Sequence, residues 1–322
     1  MVTALSLVLI GLFLLLLGGE ALVRGACGIA LLGRIAPAVV GLTVVAAGTS
    51  MPELVVSVMA SLEGNPGISV GNIVGSNIFN IGAILGVTAL VRPLRVLGNT
   101  VKLEWPVMML ASVLLYLLVR DVLVDRVESG FLFLSLVVFV SYVVWLARHD
   151  ATPAEQEEWG DLQTASFGQS GGRAWAYNAA AVVVGIAVLA GGSRLLVTGA
   201  VTLAQTFGVS DTVIGLTIVA AGTSAPELVT SLMAALKGND DIAIGNVVGS
   251  NVFNILGIAG IAGMISALPI PSEILQRDLL WMLGFAMVLF PMMWTGRRIN
   301  RFEGALLCAG FIAYTAMVVV AA

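Results

Sequence analysis

One stretch of this chain occurs twice. Residues 41–82 and 215–256 align at a constant shift of 174 positions without a gap, and 29 of the 42 pairs are identical. Both copies lie within apolar runs long enough to cross a bilayer, which takes roughly 20 residues of helix. Each copy nevertheless carries a carboxylate, Glu53 in GTSMPE (48–53) and Glu227 in GTSAPE (222–227). An acidic residue at the bilayer centre costs at least ~2.5 kcal/mol on insertion scales, so two at matching positions point to one shared ion site. The same shift pairs Gly18, Leu22, Val23, Gly25 and Ala26 with Gly192, Leu196, Val197, Gly199 and Ala200, which carries the duplication back into the first apolar segment.

Composition extends the membrane reading to the whole chain. Of 322 residues, 59% are hydrophobic and 11% charged, and the mean hydropathy of +1.04 excludes an ordinary soluble domain. Apolar runs between charged or Gly/Pro breaks predict ten spans, near 3–23, 38–62, 68–91, 105–119, 128–147, 174–195, 212–236, 242–266, 279–296 and 302–321. The first lacks the basic stretch of a cleavable signal and is expected to be retained. The expected fold is an all-α integral membrane protein. Cys27 and Cys308 have no disulfide or metal-ligand spacing and read as small buried side chains. The single histidine, His149, sits in a polar stretch beside Arg148 and Asp150, which argues against a histidine proton relay. Trp105, Trp145, Trp175, Trp281 and Trp294 fall near span ends, the usual place of interfacial anchors. Glu20 and Arg194 occupy matching repeat positions near span ends and read as interfacial as well.

The polar stretch 148–173 separates two units of five spans, 1–147 and 174–322. Five is odd, so the second unit enters the membrane from the opposite face. The expected architecture is therefore ten transmembrane helices in two inverted five-helix repeats, with broken helices meeting at the midplane, as in many secondary transporters. Placing both termini outside puts 11 of the 15 Lys and Arg residues on the cytoplasmic side and leaves only Arg120, Arg126, Arg194 and Arg277 opposite. That orientation makes 148–173 a cytoplasmic linker.

The repeated motif is rich in oxygen. Thr49, Glu53 and Ser57 are spaced by four, which a continuous helix would align on one face, and Ser76 and Asn80 follow with the same spacing. The second copy repeats the set as Thr223, Glu227, Ser231, Ser250 and Asn254. Hard cations take such ligands, about six to eight oxygens for calcium, whereas zinc or copper would call for a Cys/His cluster. Pro52 and Pro226 each lack an N–H and clash with the carbonyl four residues earlier, which predicts freed carbonyls around Gly48 and Gly222. In lipid, such backbone is tolerated only where it lines a cavity. The glycines of GNIVGSN (71–77) and GNVVGSN (245–251) fit close helix packing, or room for a facing helix to break. The hydroxyls of Thr49, Thr223, Ser57 and Ser231 have a second reading, bonded back to a helix carbonyl.

AAGTSMPELVVSVMA with GNIVGSNIFNI, and AAGTSAPELVTSLMA with GNVVGSNVFNI, resemble the paired alpha-repeats of the calcium/cation antiporter superfamily, and within it the compact prokaryotic sodium/calcium exchangers. The resemblance spans the ten-helix plan. It implies a site where the second and third spans pack against the seventh and eighth, holding calcium or several sodium ions in turn. It further implies Glu53 and Glu227 as shared carboxylates, Thr49, Thr223, Ala46 and Ala220 as carbonyl ligands, and Ser50, Ser224, Ser76, Ser250, Asn80 and Asn254 beside them. Some relatives carry an acid where this chain has Asn80 or Asn254, so potassium dependence is not expected. Two carboxylates balance one calcium ion or two sodium ions, and a third sodium would make exchange electrogenic.

The expected protein is then a secondary antiporter of an inner, prokaryotic membrane, with lipid, calcium and sodium as its partners and no cofactor, nucleic acid or obligatory protein partner. A proton-coupled cation antiporter, with Glu53 or Glu227 carrying the proton, is the alternative. A channel is disfavoured by the inverted repeat, and an enzyme by the lack of a nucleophile–base pair, cofactor motif or catalytic metal cluster.

Overall fold

The computed structural model describes residues 1–33, 35–96, 100–149, 172–207 and 220–321. Its helices are α1 (Val2–Gly33), α2 (Pro37–Thr49), α3 (Met51–Leu62), α4 (Gly67–Val91), α5 (Thr100–Asp121), α6 (Arg126–His149), α7 (Gly172–Thr206), α8 (Ala220–Thr223), α9 (Ala225–Leu236), α10 (Asp240–Ile265), α11 (Ile274–Arg297) and α12 (Arg301–Ala321). Among the described residues, eight helices are long and apolar enough to cross a membrane, or nine when α2 and α3, bent by 45°, count as one. The predicted span 212–236 enters the described residues only at 220, and the interior of the linker lies outside them. His149, expected in the linker, is the last residue of α6. The first span also runs well beyond its predicted end. Arg24, just past the predicted end, pairs with Glu20 one turn earlier, so the helix carries both without a break.

Small residues decide how α1 and α7 meet. A methyl group added at Gly11 would lie 2.6 Å from the Leu196 amide nitrogen and 2.8 Å from the Gly192 carbonyl oxygen. Added at Gly18, Gly25 and Gly199 it would lie 3.0 Å from the Gly185 carbonyl, 2.8 Å from that of Asn178 and 2.6 Å from that of Ala4. The contacts 4 with 199, 11 with 192, 18 with 185 and 25 with 178 rise along one helix as they fall along the other. The pair is therefore antiparallel, and its backbones touch because side chains are absent from the seam.

Two short antiparallel ladders give a second measure of direction. Leu94–Arg95 (β1) pairs with Arg298–Ile299 (β4), and Leu123–Val124 (β2) pairs with Leu268–Pro269 (β3). The shift of 174 takes β1 onto β3 and β2 to within one residue of β4, so the ladders are near-counterparts in the two repeats. Because α5 runs from β1 to β2, the ladders sit at opposite ends of it. α4 thus ends at one ladder, while its counterpart α10 ends at the other and points the opposite way.

Wide π-turns interrupt three helices, at 41–45 in α2, 80–85 in α4 and 253–258 in α10, and open two others, at 100–104 in α5 and 274–278 in α11. Such turns shift backbone groups out of the α register and frequently mark functional segments. Asn80 opens one, and Asn254 is the second residue of another.

Trp105 departs from the anchor expectation. Its indole N–H donates to the Ala286 carbonyl at 2.7 Å and its ring lies 4.5 Å from that of Phe290, which ties α5 to α11. Trp145, Trp175 and Trp294 are exposed.

Gly11→Ala should force the α1/α7 backbones apart at a cost of ~1–3 kcal/mol. Gly191→Ala, which meets nothing within 4 Å, should be neutral or stabilising. Thermal unfolding of the two variants in the same detergent checks the contrast, and equal melting temperatures would overturn the close-packed seam.

Candidate ion-binding site

The site starts from two helix breaks. α2 ends at Thr49, Ser50 leaves helical geometry (φ −81°, ψ 9°), and α3 begins at Met51 with Pro52 in its first turn. Ser224 (φ −88°, ψ 10°) separates α8 from α9 in the same way, with Pro226 in the first turn of α9. A proline in a first turn removes no hydrogen bond the helix could have made. The prolines therefore start new helices rather than kink old ones, and each break falls at the serine, two residues beyond Gly48 or Gly222. The carbonyl of Gly222 accepts from the Ser193 hydroxyl at 2.6 Å, and that of Ala46 accepts from the Ser50 amide at 3.0 Å. The break also splits the predicted face: Thr49 belongs to α2, whereas Glu53 and Ser57 belong to α3.

Both carboxylates are buried, Glu53 and Glu227 each 1% exposed. Each is held from the other repeat. Ser224 Oγ donates to Glu53 Oε1 at 2.8 Å, and Ser50 Oγ donates to Glu227 Oε1 at 2.9 Å. The two bonds are counterparts under the 174-residue shift. Each carboxylate also lies in the first turn of its helix, where the positive end of the helix dipole favours an anion. The carbonyl ends of α2 and α8, holding Ala46, Thr49, Ala220 and Thr223, offer the opposite polarity at the same breaks.

Asparagines brace this arrangement. Asn246 Nδ2 donates to Ser231 Oγ at 2.9 Å and to the Glu227 carbonyl at 3.3 Å, and Asn72 Nδ2 donates to Ser57 Oγ at 2.9 Å and to the Glu53 carbonyl at 3.1 Å. Ser57 and Ser231 therefore accept bonds from the neighbouring helix, instead of lining the site. The Thr49 hydroxyl lies 3.1 Å from Asn246 Oδ1 and 3.3 Å from the Ala46 carbonyl. Asn72 and Asn246 were absent from the sequence-derived set. Their signal was present, because both are identical repeat positions and precede Ser76 and Ser250 by one helical turn.

α10 presses on α2 through glycine: a methyl group at Gly245 would lie 2.7 Å from the Ala38 carbonyl, and one at Gly249 2.7 Å from Leu42 Cα. This is the close-packing reading. The π-turn holding Asn80 packs against α9, the helix that carries Glu227, and the one holding Asn254 packs against α3, which carries Glu53. Asn80 Nδ2 donates to Asn251 Oδ1 at 3.0 Å. Ser224 Oγ also stands 3.5 Å from Ser76 Oγ.

The buried oxygens without a hydrogen-bond partner then include Glu53 Oε2, Glu227 Oε2, Asn80 Oδ1, Asn254 Oδ1 and Ser250 Oγ among the described residues. Buried polar groups are normally satisfied, and an unsatisfied carboxylate oxygen is expensive. An acceptor-rich set of this kind suits a cation.

Fold and site together define a helical membrane protein with an oxygen-lined site between broken helices. Residues 3–147 and 177–320 match the model of the sodium/calcium exchanger protein family. The chain is 40% identical over 321 residues to a putative antiporter, CaxA, of Alkalimonas amylolytica, covering 98% of each chain. It is 31% identical over 338 residues to the sodium/calcium exchanger MaX1 of Methanosarcina acetivorans, covering 96% of each. The solved structure of the sodium-calcium exchanger NCX_Mj soaked with 10 mM Na+ and no Ca2+ superposes with a TM-score of 0.84 at 28% identity, over 98% of each chain. This chain belongs to the sodium/calcium exchanger family.

Asn246→Ala should leave Ser231 and the Glu227 carbonyl short of a donor and destabilise by ~1–3 kcal/mol. Asn72→Ala, at a half-buried position, should cost less. The melting temperatures of the two variants in detergent test the order, and a larger loss for Asn72→Ala would contradict it.

Proposed function

We propose that this protein exchanges sodium for calcium across the membrane by alternating access, with Glu53 and Glu227 as the shared carboxylates of one central site. The buried oxygens carry the reading: two carboxylates, two amides and a hydroxyl, drawn from both repeats, hold oxygens without a hydrogen-bond partner among the described residues. Calcium takes about six to eight oxygens at roughly 2.3–2.6 Å, a number the set meets with Ser76, and the carbonyls of Thr49, Thr223, Ala46 and Ala220 offer further oxygens for sodium ions in turn. Ser50 and Ser224 fix the carboxylates by donating to them. CaxA, named a putative antiporter, and MaX1, named a sodium/calcium exchanger, support the assignment over most of this chain's length.

The two units, 1–147 and 174–322, form ten transmembrane helices in two inverted repeats, joined by a cytoplasmic linker at 148–173, with both termini outside. The antiparallel α1/α7 pair and the opposed directions of α4 and α10 support the inversion. The lysines and arginines support the orientation, and YrbG of Escherichia coli, named an inner membrane protein and 36% identical over 323 residues, supports an inner-membrane location. Two carboxylates balance one calcium ion or two sodium ions, so exchange against three sodium ions moves one net charge, worth ~2.3 kcal/mol per 100 mV.

In liposomes, an outward sodium gradient should drive concentrative calcium uptake. An imposed interior-negative potential should slow that uptake, because the net positive charge leaves with sodium. Glu53→Gln and Glu227→Gln should each abolish it while leaving a folded protein. Uptake indifferent to sodium but driven by a pH gradient would replace this reading with proton-coupled antiport, and normal transport by both Gln variants would remove the site assignment.

A further inference from the structure

The repeat carries one ion pair twice, with its signs exchanged. The shift of 174 takes Glu20 to Arg194 and Glu63 to Lys237. In the structure only one of the two pairs is made. Lys237 Nζ lies 2.6 Å from Glu20 Oε1 and ties α1 to the C-terminal end of α9, with Arg24 completing the cluster on Glu20. Glu63, at the end of α3, and Arg194, on α7, are both exposed, and neither is ion-paired among the described residues.

The packing beside the two pairs differs in the same sense. A methyl group at Gly19 of α1 would lie 2.9 Å from Val229 Cγ1 and 3.7 Å from Met233 Cγ, so α1 lies directly on that face of α9. The counterparts on α3, Val55 and Met59, are 59% and 48% exposed, so α7 leaves the equivalent face uncovered. The glycine seam holds α1 and α7 together as one body. For a body sitting on a two-fold axis, a displacement that carries Arg194 toward Glu63 carries Glu20 away from Lys237.

We infer that Glu20–Lys237 and Glu63–Arg194 are alternating latches that hold the α1/α7 pair at the two limits of its travel, and that the structure shows the first latch closed. The inference rests on the exchange cycle proposed above, with α1 and α7 sliding or tilting together past the other helices as its moving part. Reversed signs suit the role, because each latch is attractive within itself. Pairs at partly exposed positions are also weak, so each closes and releases within a turnover rather than trapping one state.

The test uses the full chain in liposomes with Cys27→Ala and Cys308→Ala, carrying Glu63→Cys and Arg194→Cys, treated with a short bifunctional thiosulfonate. Opening the closed latch with Glu20→Gln should raise the crosslinking yield about three-fold, the size of effect an exposed ion pair exerts. Lys237→Gln, which opens it from the other side, should do the same. A merely structural pair would lower melting temperature and expression without raising the yield. No crosslink in any background, or a yield unmoved by both variants, overturns the latch. Sodium-driven calcium uptake by the unmodified chain is measured in parallel. Uptake without the crosslinking response sinks the latch alone, whereas a full response without sodium-driven uptake keeps the alternating contact and sinks the exchange reading.

Discussion

Two reciprocal hydrogen bonds, Ser224 to Glu53 and Ser50 to Glu227, join the halves of this protein at its centre. Each serine occupies the break of one helix and serves the carboxylate in the other repeat. A carboxylate inside a membrane protein is tolerable only with partners, and here its partners exist only because the helices break where they do. Much of the surrounding structure follows from that constraint. The glycines of α10 let it approach α2, Asn72 and Asn246 hold the carboxylate helices to their neighbours, and the π-turns carry Asn80 and Asn254 across the repeat boundary.

The same centre accounts for the distribution of polarity. Half-helices meeting end to end bring amide ends to Glu53 and Glu227 and carbonyl ends beside them. The broken backbone is itself part of the electrostatics, stabilising the anionic groups while offering oxygens to a cation. Among the described residues, the second oxygen of each carboxylate has no hydrogen-bond partner. In the exchange reading that deficit is the binding energy available to the ion.

Around this centre the structure has two mechanical textures. α4 and α10 are bound into the core by side-chain hydrogen bonds and buried packing. α1 and α7 are joined to each other along a seam of glycines, and to the core by fewer polar ties, among them Ser193 to Gly222 and Glu20 to Lys237. A smooth seam between two helices and a small number of breakable ties to the rest is what a moving unit requires. Asymmetry between near-identical halves then carries information, because sequence identity alone would give equal contacts on both sides.

Much of this was legible in the chain. Composition and run length announced a helical membrane protein, and the gapless repeat singled out Glu53, Glu227, Asn80 and Asn254, because duplication and hydropathy are properties of local sequence; Ser50 and Ser224 entered only through the family resemblance. Tertiary structure decided where each group points. Spacing by four placed Thr49 with Glu53 on one helix, but the helix ends between them, since Pro52 is better accommodated in a first turn than inside a helix. Proline chemistry pointed to Gly222 as an open carbonyl, but Ser193, 29 positions earlier, had already taken it. The roles of Asn72, Asn246 and Trp105, and the choice of which of two equivalent ion pairs is closed, depend on distances between helices far apart in sequence. A chain can encode both members of a symmetric pair, but only the packed structure can show which one is made.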